Sequence, residues 1–565
     1  MSPVSYSARR RFAFRPYTVL TALCAGFIMF LLIYPLGRMF WQILAGTGRS
    51  GLLDAISVLS QPWFLTVLSN TAIVVGVSTV LALLIGAYLA WINERTDAGM
   101  GKVGTLMPII PLLIPNVAMS IGWVFIAAPR VGFLNGWLAG LPDFLSFQLN
   151  IYTWTGLIIV YAINGVPYVY LIVAAALRNL DPALEEAARI NGASLFRTLR
   201  QVSIPAVKPA LLSAALLVTI SSIGTYSIPA VIGTTARIDV MTTRIVYLLN
   251  RDFPPRVAEA QMIGLVMLLL VGILWYIEKR AARSGQFATL GGRASSNGRL
   301  ELGKWKWPAR GITLAYLAAT SVLPILALAV VSLQSFWTPR INVSALNFGN
   351  YSQALYVNNI AISSLKNSLF LSGTGALIAM AIAVIVAIYT ASRSSALGDA
   401  VDATIKSSAA TPPLILAVAF LVAFSGAPFY LAGTATILLL AFVVMYIAPG
   451  SIAATSAITQ IGRDLREAAY INGAGEGRTV REIIIPLAMP GFVAGWAIVF
   501  VHMMGDLSAA ALLAGINNPV VGFAILSIWE AGTFGVLAAF SMILCLVNIG
   551  VIACMFGLGR LIRRN

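Results

Sequence analysis

Twelve long apolar runs recur along this chain, and they constrain its fold more than any other feature. A helix needs about 20 apolar residues to cross the hydrocarbon layer of a bilayer, and the runs have about that length. A β-barrel is disfavoured, because barrel strands alternate polar and apolar residues. The sequence therefore predicts an all-α, polytopic membrane protein with about 12 transmembrane helices. The runs lie at residues 17–40, 64–92, 103–128, 152–177, 205–232, 258–278, 311–335, 367–391, 409–428, 431–456, 486–514 and 535–558.

Composition and charge agree with a membrane environment. Only 10% of the residues are charged and the mean hydropathy is +0.88, so membrane lipid is expected to solvate much of the surface. The net charge of +17 does not indicate a nucleic-acid partner, because most Lys and Arg residues lie in the N-terminal tail and in alternate segments between the runs. This distribution follows the positive-inside rule and predicts that both termini are cytoplasmic.

The chain also contains an internal repeat. "EEAARINGAS" at 185–194 returns as "REAAYINGAG" at 466–475, and earlier in each half Pro115 pairs with Pro412. Each half holds six runs, an even number, so both halves enter and leave the membrane on the same side. The sequence therefore predicts two parallel six-helix repeats.

The repeat divides the chain into four parts. We expect a cytoplasmic tail at 1–16, a first repeat at 17–278, a cytoplasmic linker at 279–310 and a second repeat at 311–565. The linker is rich in Gly, Ser and basic residues, a composition typical of a solvated connection between folded units.

Both decapeptides fall between the fourth and fifth runs of their halves, on the predicted cytoplasmic side. Asp181 is a candidate N-cap, and Pro182 suits the first position of a helix. Asn191-Gly192 tolerates left-handed backbone, which can end one helix and turn the chain. Each copy is therefore predicted to form a helix, a sharp turn and a second short helix outside the bilayer.

The spacing of Glu-Ala-Ala, Gly and a later Ile-Pro in both copies resembles the EAA loop of ABC importer permeases. The family has Leu before that Pro, whereas Ile stands in both copies here. The resemblance covers most of both halves and implies a fused, two-permease transmembrane subunit. By this resemblance the residues that couple the permease to an ATPase are Glu185, Glu186, Ala187, Ala188, Gly192, Glu467, Ala468, Ala469 and Gly473.

The resemblance also implies partners. The loops are expected to dock on cytoplasmic ABC ATPase subunits, two copies in all, and a periplasmic solute-binding protein is expected to deliver the solute. The segment nearest to a nucleotide-binding P-loop, "DAGMGKVG" at 97–104, has Val103 after its lysine. We therefore expect no cofactor and no enzyme activity in this chain, with ATP hydrolysed by a separate subunit at a bacterial inner membrane.

The solute is less constrained. Chain length, the fused layout and the stretch "SIPAVIGTTARIDVMTTRIVYLL" at 227–249 resemble permeases of the ferric iron importer family. Similar permeases serve 2-aminoethylphosphonate, thiamine or polyamines, so these solutes stay open as alternatives. An ion-coupled secondary transporter would also show twelve helices in two halves, but it would have no reason to repeat an EAA loop.

Polar residues in the fifth runs are candidates for a translocation path. His502, the only histidine, and Asp506 lie four residues apart and are predicted to share a helical face at membrane depth. Ser221 and Thr225 are their equivalents in the first half. The four side chains can line a path, or His502 and Asp506 can form a structural pair that locks helix packing. One His and one Asp cannot complete a metal site, so none is predicted.

Overall fold

The computed structural model describes residues 16–45, 56–140, 142, 148–284, 300–392 and 396–562. Within these ranges the chain is helical, and the pairings of β type are two isolated bridges, Thr96–Leu300 and Gly515–Asn518. The predicted tail, except Pro16, and the central part of the predicted linker, 285–299, lie outside the described residues.

The helices of the first half are α1 (Pro16–Ala45), α2 (Pro62–Arg95), α3 (Gly101–Leu106), α4 (Asn116–Ala127), α5 (Phe133–Leu138), α6 (Trp154–Asn179), α7 (Pro182–Ile190), α8 (Leu195–Thr198), α9 (Ile204–Gly224), α10 (Met241–Asn250) and α11 (Val257–Ser284). Those of the second half are α12 (Lys306–Leu317), α13 (Leu323–Leu333), α14 (Gly349–Ser352), α15 (Asn359–Ser392), α16 (Ala396–Ala410), α17 (Pro413–Phe424), α18 (Ala435–Thr459), α19 (Arg463–Ile471), α20 (Glu476–Thr479), α21 (Ile485–Met504), α22 (Ser508–Leu513), α23 (Val521–Glu530) and α24 (Phe534–Ile562).

Short turns of other helix types join several of these helices. Turns of 3₁₀ type lie at Val58–Ser60, Met107–Leu113, Gly303–Trp305 and Val343–Ala345. Turns of π type lie at Leu199–Ser203, Pro229–Gly233, Ala318–Val322, Gln353–Val357 and Val480–Ile484.

Ten described helices are long and apolar enough to cross a membrane. Two more candidates are bent pairs: Val103–Leu112 with Asn116–Ala127 at 93°, and Ala400–Ala410 with Pro413–Phe424 at 102°. A proline precedes the second arm of each pair, where its fixed φ and missing N–H interrupt the helix. If each pair is one span the total is twelve, and the prediction of an all-α polytopic fold is confirmed.

Some predicted span limits were wrong. The runs at 205–232 and 486–514 extend past breaks in the backbone, since the fifth spans end at Gly224 and Met504. The run at 409–428 covers only the second arm of its bent pair. Apolar residues continue through each break, so hydropathy by itself does not locate it.

The second, fourth and fifth spans of each half pack together in the same way. In the first half α2 packs on α6 and α9, and in the second half α15 packs on α18 and α21. Glycines allow these close approaches: a Cβ added at Gly86 would lie 2.7 Å from Cβ of Val169, and one at Gly491 would lie 2.5 Å from Cβ of Ala457. The sequence repeat is therefore a repeat of packing.

The first span of each half packs against the other half. Helix α1 packs on α17, and α13 packs on α4. Gly122 of α4 meets Pro324 of α13 so closely that an added Cβ would lie 2.7 Å from the proline Cβ. Each bent pair is therefore covered by a helix from the opposite repeat.

One end of the bundle holds the end of the linker, and we call it the linker end. There the Leu302 amide donates to Asp97 Oδ1 at 3.0 Å, just beyond the last residue of α2. The guanidinium of Arg466 in α19 donates to the Ala391 carbonyl near the end of α15, at 3.1 Å. Both repeated loops lie at this end, because α2 and α15 finish there.

Candidate coupling loops and central path

The first repeated loop has the predicted helix, turn and short helix. The Asp181 carboxylate accepts a hydrogen bond from the Ala183 amide at 2.9 Å, which confirms the N-cap of α7. The helix ends at Ile190 with Asn191 as its C-cap, and Gly192 follows with φ +82°, a left-handed conformation that favours glycine. The Ala193 amide then donates to the Ala188 carbonyl at 3.0 Å and closes the turn before α8.

The second loop has the same backbone. Gly473 has φ +77°, and the Ala474 amide donates to the Ala469 carbonyl at 2.9 Å. The Asn472 side chain donates to the Ala468 carbonyl at 2.8 Å, as the equivalent asparagine does in the first loop at 2.7 Å. The two decapeptides therefore specify one local structure, although only part of their sequence is shared.

The tips of both loops expose apolar side chains. Ile190 is 86% exposed and its equivalent Ile471 is 84% exposed. Phe196 is 70% exposed on the first loop. Glu186 and Glu467 are exposed beside these tips. Apolar groups so exposed beside charged ones, at an end of the bundle outside the spans, are typical of a protein-binding surface.

The alanines of the two motifs are not equally accessible. Ala187 and Ala468 are exposed, whereas Ala188 is half-buried and Ala469 is 7% exposed. The backbone carbonyl of the more buried alanine in each motif accepts the amide hydrogen bond that closes the turn.

Glu185 differs from the other predicted coupling residues because it is buried. It is 1% exposed, and its Oε1 accepts a hydrogen bond from Ser203 Oγ at 2.6 Å. Its Oε2 lies 3.8 Å from Nε of Arg95, the last residue of α2. The glutamate therefore faces the helical bundle, whereas its neighbour Glu186 faces solvent.

Asp506 lies near the middle of the bundle, just after the end of α21. The prediction that it shares a helical face with His502 was wrong, because α21 ends at Met504 and α22 begins at Ser508. The Asp506 carboxylate accepts hydrogen bonds from the Tyr446 hydroxyl and the Ala509 amide, each at 2.7 Å. The carboxylate therefore fixes the backbone break between the two helices.

His502 lies beside the same tyrosine. Its ring centroid is 5.9 Å from that of Tyr446, with the two rings nearly perpendicular, and the histidine is half-buried. The structure thus gathers His502, Tyr446 and Asp506 into one cluster, with Tyr446 from α18 between the two residues found in the sequence.

The first half has a corresponding arrangement at Thr225. Its carbonyl accepts hydrogen bonds from the Tyr161 hydroxyl at 3.3 Å and from Thr242 Oγ1 at 3.1 Å. Its own hydroxyl donates to the Ser221 carbonyl at 2.9 Å. A tyrosine of the fourth span therefore holds the break after the fifth span in both halves, but only the second half places a carboxylate there.

The two halves meet at these breaks. A Cβ added at Gly224 would lie 2.8 Å from Cβ of Pro412, and one added at Gly505 would lie 3.0 Å from Cβ of Pro115. The two contacts are equivalent under the repeat and join each fifth span to the bend of the opposite half. Glycine at each break therefore allows the close approach of the two halves.

Two asparagines near these contacts were not predicted from the sequence as candidate site residues. Asn116 follows the proline at the first bend, and its Oδ1 accepts a hydrogen bond from Asn164 Nδ2 of α6. Both are half-buried. An amide side chain inside an apolar run is the signal that could have identified them.

No three His, Cys, Asp or Glu residues in the described part of the chain are grouped so that they could hold a metal ion.

The chain forms two parallel six-span repeats, with matched loops at one end and polar side chains between the halves. This arrangement defines a fused, two-domain membrane transport subunit. The chain matches the family described as "Binding-protein-dependent transport system inner membrane component" over residues 78–283 and 379–564. One match falls in each half and together they cover more than half of the chain, so the protein belongs to this family.

Several proteins are similar to this chain, two of them across both repeats. The chain is 23% identical to the ferric transport system permease protein FbpB of Actinobacillus pleuropneumoniae, over 93% of this chain and 76% of that protein. It is 26% identical to the probable ABC transporter permease protein y4fN of Sinorhizobium fredii, over 88% of each chain. The trehalose transport system permease protein SugA of Mycobacterium tuberculosis is 29% identical, over 39% of this chain and 71% of its own length. The prediction of a fused ABC importer permease is confirmed.

Proposed function

We propose that this ABC importer permease moves ferric iron from a periplasmic binding protein to the cytoplasm by alternating access. The solute assignment is supported by the ferric transport relative, which matches 93% of the chain, whereas the trehalose transport relative matches 39%. The observation that carries the importer mechanism is the pair of equivalent loops with exposed apolar tips at one end of the bundle.

Each loop docks on one cytoplasmic ATPase subunit. The exposed Ile190 and Ile471 enter apolar hollows on the two ATPase copies, and Glu186 and Glu467 pair with basic groups at the rim. Closure of the ATPase dimer on ATP brings the loops together and moves the helices to which they are attached. The linker end is therefore cytoplasmic, as are both termini, in agreement with the positions of the basic residues.

The solute crosses between the halves at the level of the two glycine–proline contacts. Ser221, Thr225, His502 and Asp506 lie on the chain immediately beside these contacts. Separation of the halves would expose His502, Tyr446 and the Asn116–Asn164 pair to a passing solute. We assign these groups to transient contact with the solute, and we assign Asp506, which accepts hydrogen bonds from Tyr446 and Ala509, to fixing the backbone break.

The experiment is uptake into proteoliposomes that contain the permease, its ATPase and its binding protein. We expect uptake of ⁵⁵Fe³⁺ that requires ATP inside the vesicles and persists when ionophores abolish ion gradients. Uptake that follows an imposed ion gradient without ATP would support a secondary transporter and contradict the proposal. ATP-driven uptake of 2-aminoethylphosphonate, thiamine or a polyamine, but not of iron, would keep the importer mechanism and overturn the solute assignment.

A further inference from the structure

Arg95, at the end of α2, contacts the end of α6 and the first coupling loop, both of which are distant from it in sequence. Its Nη2 donates to the carbonyls of Leu177 and Leu180 at 2.7 Å each, beside the C-terminal end of α6. Its Nε lies 3.8 Å from Glu185 Oε2 on the first coupling loop. The side chains of Arg95 and Glu185 are 6% and 2% exposed, so this ion pair is almost completely shielded from water.

A buried ion pair couples its two elements tightly. Each charge loses hydration on burial, so separating the partners would leave an uncompensated charge inside the protein. The other oxygen of Glu185 is held by Ser203, at the start of the fifth span. Displacement of α7 would therefore strain both contacts of Glu185, the ion pair with α2 and the hydrogen bond with Ser203.

The backbone of the same arginine is attached to the linker. The Leu300 amide donates to the Arg95 carbonyl at 2.8 Å, and the Asp97 amide donates to the Leu300 carbonyl at 3.0 Å. Lys306 forms an ion pair with Asp97 at 3.1 Å. The Leu302 amide, helped by the Lys306 ammonium, holds the pKa of the Asp97 carboxyl below its ordinary value. The linker is thus bonded to α2 directly before the first span of the second half.

The second loop is attached differently. Its position equivalent to Glu185 is Arg466, and its position equivalent to Ser203 is Ile484. Arg466 donates to the Ala391 carbonyl from a solvent-exposed site. Within the described residues, the buried glutamate–arginine pair belongs to the first loop only.

We propose that Arg95 is the positioning residue through which the first coupling loop moves both halves of the permease, with Glu185 as its contact on the loop. This inference rests on the proposed docking of an ATPase to the loops. Motion of α7 passes through Glu185 to Arg95, then along α2 into the first half and through Leu300 into the first span of the second half. Among the residues that the structure describes, the second loop lacks this route and contacts its own half through Arg466.

The test compares Glu185→Gln, Arg95→Gln and the double variant in proteoliposomes that contain the ATPase and binding protein. We expect each single variant to import at least about fivefold less ⁵⁵Fe³⁺ per ATP hydrolysed, with as much ATPase co-purified as for the wild type. Uptake per ATP by the double variant should be no lower than that of the less active single variant, because the two residues act through one another. Arg178→Gln is the matched control: Arg178 pairs with Glu94, also joins α2 to α6, and does not contact the loop.

A variant with an apolar pair, Arg95→Met with Glu185→Leu, separates coupling from stability. It removes both buried charges together, so it should fold as a monodisperse protein and still import poorly per ATP. Uptake per ATP equal to that of the wild type would show that the pair serves packing only and would overturn the inference. The inference would also be overturned if the losses of uptake in the single variants multiplied in the double variant. A loss of ATPase binding in parallel with the loss of uptake would overturn it as well. If the wild type itself binds no ATPase, the proposed function fails instead.

Discussion

At the scale of single residues, the interface between the halves depends on two glycines. Gly224 and Gly505 lie against Pro412 and Pro115, where an added methyl group would lie 2.8 Å and 3.0 Å from the proline Cβ atoms. A proline ring is rigid and belongs to the bend itself, so it cannot yield as a flexible side chain would. The two contacts therefore require glycine because of space, since neither glycine has a positive φ.

Replacement of Gly224 by Ala should destabilise the contact between the halves. Overpacking of this kind typically costs about 1–3 kcal/mol, so we expect a lower midpoint of thermal unfolding in detergent. Gly505→Ala should behave in the same way. Gly76→Ala is the control, because Gly76 on α2 has no atom within 4 Å of an added Cβ. Unfolding midpoints equal to that of the control would show that the bends move aside without cost.

At the scale of elements, the two coupling loops combine a common backbone with different attachments. Their turns are the same because each has glycine in a left-handed conformation, at Gly192 and Gly473. Their attachments differ because Glu185 and Arg466 stand at equivalent positions. We therefore propose that docking depends on what the loops share, and that the transmission of motion depends on where they differ.

Replacement of both loop-tip isoleucines by aspartate should weaken ATPase docking. Ile190 and Ile471 are each more than four-fifths exposed, so Ile190→Asp with Ile471→Asp should leave folding and membrane insertion unchanged. A buried apolar contact at an interface is worth about 2 kcal/mol or more when truncated. We expect the amount of co-purified ATPase to fall by at least about tenfold.

Val343→Asp is the control for this experiment. Val343 is 76% exposed but follows the opposite end of a span, beyond Leu333. The control should retain the ATPase. Normal retention by the double aspartate variant would mean that the isoleucine tips are not the docking surface.

At the scale of the whole molecule, the halves are interlocked. Helix α1 packs on α17 of the second half and α13 packs on α4 of the first half. At the end opposite the linker end, Arg251 forms an ion pair with Glu530, and the Asn250 side chain donates to the Ala511 carbonyl at 2.8 Å. The halves are therefore connected at several levels besides the covalent linker.

A cut in the linker should consequently leave the permease assembled. If a protease site is inserted within 285–299 and cleaved in mild detergent, the two fragments should elute together in size-exclusion chromatography. The exchanged first helices pack closely across the interface, and this packing holds the fragments together. Separate elution of the fragments would mean that the linker is needed to keep the halves joined.

Much of this protein can be predicted from its sequence, because several of its signals are local. Runs of about 20 apolar residues determine the helices, and the repeated decapeptides determine the paired loops and the parallel repeat. The Asp181 cap and the turn at Gly192 also follow from residues next to one another. Membership of a fused importer family follows from the same short patterns.

The tertiary structure decided the features that depend on distant residues. Hydropathy continues through the breaks after Gly224 and Met504, and the pairing of Asp506 with Tyr446 instead of His502 needs the fourth span in place. The burial of Glu185, one residue from the exposed Glu186, depends on Arg95 at the end of another helix. Side-chain burial and long-range ion pairs arise only when helices pack, so the pattern along the chain could not show them.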